Sequence, residues 1–141
     1  VKWRLFRHLL HGGDEDAVRV YRWHIEKRSG LRIKAGLPTD GWKRSLDDYL
    51  QSASALAGCM RRQGFFRGGA IPVDPDGELL GGAHRLACAL ALGIAEVPVT
   101  RDQRRVWAPA WGEAWFRDNE MAVEDIVRLR RDWLALYSGQ H

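Results

Sequence analysis

The sequence predicts an α/β domain, a small mixed sheet with helices packed on it and a helical C-terminal extension. Three observations carry this. Residues 17–25, AVRVYRWHI, alternate with period two. Residues 45–60 run a helical apolar stripe behind a capping signature. Two short runs rich in β-branched residues, AIPV and AEVPVT, flank an alanine-rich helical segment.

Along the chain, residues 2–11 place Trp3, Phe6, Leu9 and Leu10 on one side of a short helix that Gly12-Gly13 ends. In the alternating segment Val18, Val20, Arg22 and His24 share one strand face; Arg19, Tyr21, Trp23 and Ile25 share the other. Residues 28–44 contain three glycines and a proline among charges and read as a long loop. Ser45 is an N-cap with Asp48 three residues on. Leu46, Tyr49, Leu50, Ala53, Leu56, Ala57 and Met60 then form the stripe, which Gly64 closes. The turn Asp74-Pro75-Asp76-Gly77 joins AIPV to ELL as a hairpin. Ala83 to Leu92 is a helix stopped by Gly93, and AEVPVT is a strand. Trp107, Trp111 and Trp115 recur every four residues and read as a packed aromatic lid. The last helix covers about 123–137, with Ile126, Leu129, Trp133 and Leu136 as its stripe and Arg128, Arg130 and Arg131 beside it.

A chain of 141 residues supports one domain, residues 1–141, with its own core. The net charge of +4 is scattered, and most of the 22 basic residues are arginine. That permits an anionic ligand without calling for nucleic acid. No apolar run spans a membrane and no signal-peptide pattern opens the chain, so the expectation is a cytoplasmic protein without a membrane partner. Cys59 and Cys88 read as buried free thiols, and no ligand spacing suggests a structural metal. A start at Val1 is compatible with a piece of a larger protein or complex.

The stretch that carries chemistry is LLGGAHRLACALALG, residues 79–93. A helix start exposes unpaired N–H groups and the positive end of the helix dipole. Glycines just before it let an anion approach the backbone, and His84 and Arg85 add side-chain donors. The local pattern fits a phosphate cradle, and it fits a plain tight turn.

The order of elements around it resembles the ParB/sulfiredoxin-like superfamily over about residues 17–100, leaving 101–141 as the Trp-rich extension. GGAHR is similar to the GGCHR signature of sulfiredoxins and to the GHHR signature of ParB-like free-serine kinases. The resemblance implies that Gly81, Gly82, Ala83, His84 and Arg85 bind nucleotide phosphates. Ala83 stands where sulfiredoxins carry their reactive cysteine, which removes the nucleophile for sulfinic acid reduction. GGAHR also departs from the GERR-type form of ParB partition proteins, which disfavours a DNA clamp.

The remaining branch implies phosphoryl transfer from ATP or another nucleotide, with Mg as the customary metal, to a small hydroxyl-bearing substrate. Glu26 is then the candidate catalytic carboxylate, and Arg28 and His24 are candidate substrate-binding residues. Asp40, Asp47 and Asp48 are further acidic candidates. The alternative is a non-catalytic module that binds a nucleotide or phosphorylated ligand within a larger assembly.

Overall fold

In the computed structural model, which describes residues 1–39, 41–65, 69–106 and 112–138, the chain is helix-rich with one small parallel sheet. It divides into two units, Val1–Val106 and Trp107–His141. The coarse α/β class holds for the first unit, where the sheet has two strands among the described residues.

The first unit opens with α1 (Lys2–His11), which Gly12 ends at a φ of 73°. The segment read as a strand, 17–25, is instead the first half of α2, a 20-residue helix from Glu15 to Lys34. The physical reason is visible over a longer window. Ala17, Val20, Tyr21, His24, Ile25 and Ser29 are buried and recur at helical spacing. Nine residues of that pattern also satisfy a two-fold alternation. Glu15 and Asp16 in the first turn and Arg32 and Lys34 in the last suit the helix dipole. The long loop expected from residue 28 therefore starts after Lys34. Arg32 holds its start by donating from Nε and Nη2 to the Pro38 carbonyl at 3.1 and 2.9 Å.

Helix α3 (Leu46–Gln63) begins where the sequence places it. The Ser45 hydroxyl accepts from the Asp48 N–H at 3.1 Å, and the Asp48 carboxylate accepts from the Ser45 N–H at 2.9 Å. Strand β1 (Ile71–Val73) follows, then α4 (Ala83–Ala91) and β2 (Val99–Arg101). β1 and β2 pair in parallel, Ile71 opposite Val99 and Val73 opposite Arg101. The expected hairpin shrinks to one antiparallel bridge, Val73 to Leu79. The Asp74 side chain organises its turn, Oδ1 accepting the N–H groups of Asp76 and Glu78, both at 2.9 Å. Those bonds, with the Glu78 N–H foremost, hold the Asp74 carboxyl below its ordinary range.

The core of this unit is helical. Leu5 and Phe6 of α1 meet Tyr21 and Ile25 of α2, Tyr49, Ala53, Ala57 and Met60 of α3, and Ala87, Cys88 and Ala89 of α4. The small residues let α1 and α4 approach closely, and α1 also packs on α2 and α3.

The second unit contains α5 (Glu113–Asp118) and α6 (Val123–Tyr137), the latter as expected. Met121, Asp125 and Ile126 are buried. Trp133 of the expected apolar stripe is instead exposed, its ring tilted 40° against that of Tyr137 with centroids 4.6 Å apart. Trp115 lies in α5, whereas Trp107 and Trp111 of the supposed lid lie outside the described residues. No helix among the described residues is long and apolar enough to cross a membrane.

Candidate functional site

Gly82 is the N-cap of α4 and adopts a left-handed conformation, φ 73° and ψ 12°. No side chain caps the helix there. The glycine has a second reason to be glycine. A Cβ at this position would lie 3.1 Å from Nη2 of Arg85 and 3.4 Å from Cγ2 of Ile71. The Arg85 guanidinium is thus folded back over the start of its own helix. Its Nη1 donates to the Gly69 carbonyl, which fixes that placement. The first-turn N–H groups of α4 and a guanidinium therefore converge on one small region, with Gly81 beside Pro72 and β1 beneath.

His84, one residue into the same turn, points toward the helical core. Its Nε2 lies 2.8 Å from the Tyr21 hydroxyl. Its ring meets Tyr21 and Phe6 edge-on, with centroids 5.9 and 6.3 Å away. Tyr21 was not among the residues singled out from the sequence. As a strand residue it falls on the face opposite His24, but on a helix Tyr21, His24 and Arg28 share one side.

His24 is 4% exposed on that side. Burial pushes its imidazole down from 6.5 to about 3, and the positive charges of Lys2 and Arg28, with His84, push the same way. Three of the expected site residues, His24, Arg28 and His84, are therefore brought within electrostatic reach of one another. Lys2, which the sequence reading passed over, joins them. Arg28 also leans on α3: Nη2 donates to the Tyr49 hydroxyl at 3.5 Å, and the guanidinium lies 5.9 Å from that ring's centroid.

Glu26 is placed elsewhere. It is exposed and lines a shallow groove on the outer side of α2 with Glu15, Val18, Arg19, Arg22 and Trp23. At 100° per residue it is turned about 140° from Tyr21 around the helix, away from the side that meets His84. The other carboxylates have structural work. Asp47 accepts from Arg22 Nη2 at 2.7 Å. Asp48 closes the capping box, and the N–H of Arg44, then the bonds to Ser45, hold its carboxyl below the usual range. Asp40 lies outside the described residues.

Neither cysteine approaches the site as a nucleophile. Cys88 is buried in α4, and burial pushes its thiol up to about 11. Cys59 is half-buried on α3, 3.7 Å from Gln63 Oε1. Among the described residues, no group of three or more His, Cys, Asp or Glu side chains converges in a way that could hold a metal ion. Comparison of the chain with family models, with characterised proteins and with solved structures finds no match.

Proposed function

We propose that the chain is a phosphate-recognition domain of ParB/sulfiredoxin-like type. It binds a nucleotide or another phosphate-bearing small molecule at the start of α4. One observation carries this reading: α4 begins without a side-chain cap at a left-handed glycine, and the Arg85 guanidinium lies over that opening. Backbone N–H groups, a helix dipole and a planar cation in one place are the donor set a phosphate takes. His84 contributes from the same turn, and Gly81 and Ala83 leave the backbone accessible.

Binding is favoured here over phosphoryl transfer. Transfer from ATP to a small hydroxyl compound would call for a carboxylate beside the phosphates, with Mg bridging them. Glu26 faces the outer side of α2, and the donor set at α4 is cationic and amide in character, so no step is assigned to the metal. ATP consumption by the wild-type protein across a panel of small hydroxyl compounds, free serine and sugars included, would favour the enzyme reading.

The binding reading is tested by calorimetry with ATP, pyrophosphate and inorganic phosphate. Arg85→Ala is expected to weaken binding by about 1.5–3 kcal/mol, the worth of a charge-assisted hydrogen bond. Equal affinities for wild type and a folded Arg85→Ala variant would refute the assignment.

A further inference from the structure

The outer side of α6 carries apolar residues that its own unit leaves in solvent. Val123, Val127, Leu134 and Tyr137 are each more than half exposed. With Arg130, also exposed, they recur at intervals of four, three, four and three residues. At about 100° per residue these five positions fall within roughly 80° of arc, one stripe down the helix. The buried Asp125 and Ile126 lie to one side of it. Apolar residues exposed in a contiguous stripe, not scattered singly, mark an interaction surface. Spacing that alternates four and three is the seam along which two helices pack.

The charges select what fits this seam. In a parallel pair with a second copy, each stripe residue meets itself, so Arg130 would oppose the partner's Arg130 at the centre. An antiparallel pair removes that clash. With Val123 level with the partner's Leu134, Val127 is level with the partner's Arg130. The arginine stem packs along the valine and its guanidinium reaches the rim. In this register Glu124 and the partner's Arg131 lie on the same flank, offset by roughly 3 Å along the axis. Two-fold symmetry makes that pair twice. Sliding one helix by a heptad sets Arg131 beside the partner's Arg131 in one direction, and Glu124 beside the partner's Glu124 in the other. Within its own chain Arg131 meets Asp132 at 4.0 Å, the outer limit of an ion pair, and its side chain is 78% exposed. On the other flank the exposed Trp133 comes alongside the partner's Ile126, an apolar edge.

We propose that the exposed stripe of α6 is a self-pairing surface. A second copy of the chain docks on it with the two helices antiparallel, Val123 against the partner's Leu134 and Glu124 paired with the partner's Arg131. The occupant is a second copy because this one surface supplies both halves of every contact under a two-fold rotation. The inference is independent of the phosphate site, which belongs to the unit Val1–Val106. The contact is a single helix of 15 residues, about 22 Å long. It is smaller than a standard stable interface, so the dimer is weak and depends on concentration.

Sedimentation equilibrium of the full chain over a concentration series is the test, with no ligand added. The average mass of wild type is expected to rise toward that of two chains. A monomer at every concentration overturns the proposal. Leu134→Glu changes an exposed position, so helix content should be unchanged by circular dichroism while self-association is lost. A dimer that survives this substitution is built elsewhere and also overturns the proposal.

Charge reversal tests the register. Glu124→Arg places like charges at both rim pairs, and so does Arg131→Glu. Each is expected to weaken self-association about 2- to 30-fold, the loss of two exposed ion pairs. Mixing the two variants restores opposite charges at both rims, so an equimolar mixture should dimerise more tightly than either variant alone. In a parallel pair positions 124 and 131 do not face one another, and mixing would change nothing. Self-association unchanged in both single variants, or a mixture no tighter than its components, would overturn the antiparallel pairing.

Discussion

His24 shows how much the surroundings of one side chain decide. An exposed imidazole titrates near 6.5, but burial first, then Lys2, Arg28 and His84, brings this one to about 3. The sign of the consequence follows from proton counting. Between about pH 6.5 and 3 the unfolded chain binds a proton at this position and the native protein does not. The stability gained from keeping His24 neutral is whole above pH 6.5 and is lost as the pH falls. The slope approaches about 1.4 kcal/mol per pH unit, so up to about 2.7 kcal/mol disappears between pH 6.5 and 4.5. Urea midpoints measured over that range should fall for wild type and fall less steeply for His24→Gln. Parallel slopes for the two proteins would show that another group governs the acid sensitivity. Arg85 stands beside this as the opposite kind of residue, a permanent charge whose position, over Gly82 and tied to the Gly69 carbonyl, is what the fold adjusts.

At the scale of elements, α3 and α2 differ in how openly the sequence declares them. The start of α3 is a local event: Ser45 and Asp48 exchange hydrogen bonds across three residues, and both partners are legible in the sequence. Ser45→Ala is expected to cost about 1 kcal/mol, read as a lower urea midpoint with an unchanged slope. An unchanged midpoint would mean that the N-terminal turn is held by other contacts. α2 carries no such sign at its start. Its N-cap Asp14 makes no capping bond there and is engaged by Arg4, whose Nη2 donates to it at 2.8 Å. Over residues 17–25 the apolar and aromatic side chains satisfy periods of two and of 3.6 together, and only the run on to Ser29 separates them.

The misread period had a specific price for the site. It paired His24 with Arg22, which faces outward, and hid the alignment of Tyr21, His24 and Arg28. The GGAHR turn was legible for the opposite reason. Two glycines, a helix start and an arginine are neighbours in sequence, and the left-handed Gly82 is a local requirement. The contact of Tyr21 with His84 joins positions 63 residues apart, and no local pattern encodes it. The hairpin was over-read for a related reason: Leu79-Leu80 has strand-like composition, yet only Val73 and Leu79 form a bridge there, and the longer pairing of β1 is parallel, with β2.

At the scale of the whole molecule, the phosphate site proposed here belongs entirely to the unit Val1–Val106, and its helices share one core through Leu5, Phe6, Tyr21, Ile25, Ala87 and Cys88. A ligand that binds only the native form adds stability by mass action, about 2.7 kcal/mol at one hundred times its dissociation constant. That energy belongs to the cooperative unit that must open for the site to be lost, not to the α4 turn alone. Amides of α1, α2 and α4 whose exchange requires that opening are therefore expected to slow together, by about 100-fold at that ligand excess. The measurement is hydrogen–deuterium exchange with and without pyrophosphate, at fixed ionic strength because the chain carries a net charge of +4. Arg85→Ala at the same pyrophosphate concentration supplies the decisive comparison. If the slowing is equal in wild type and variant, the anion acts through general screening of positive charge. If it is confined to wild type and reaches the inner amides of α2, the start of α4 is a ligand site whose binding energy is shared by the whole helical core.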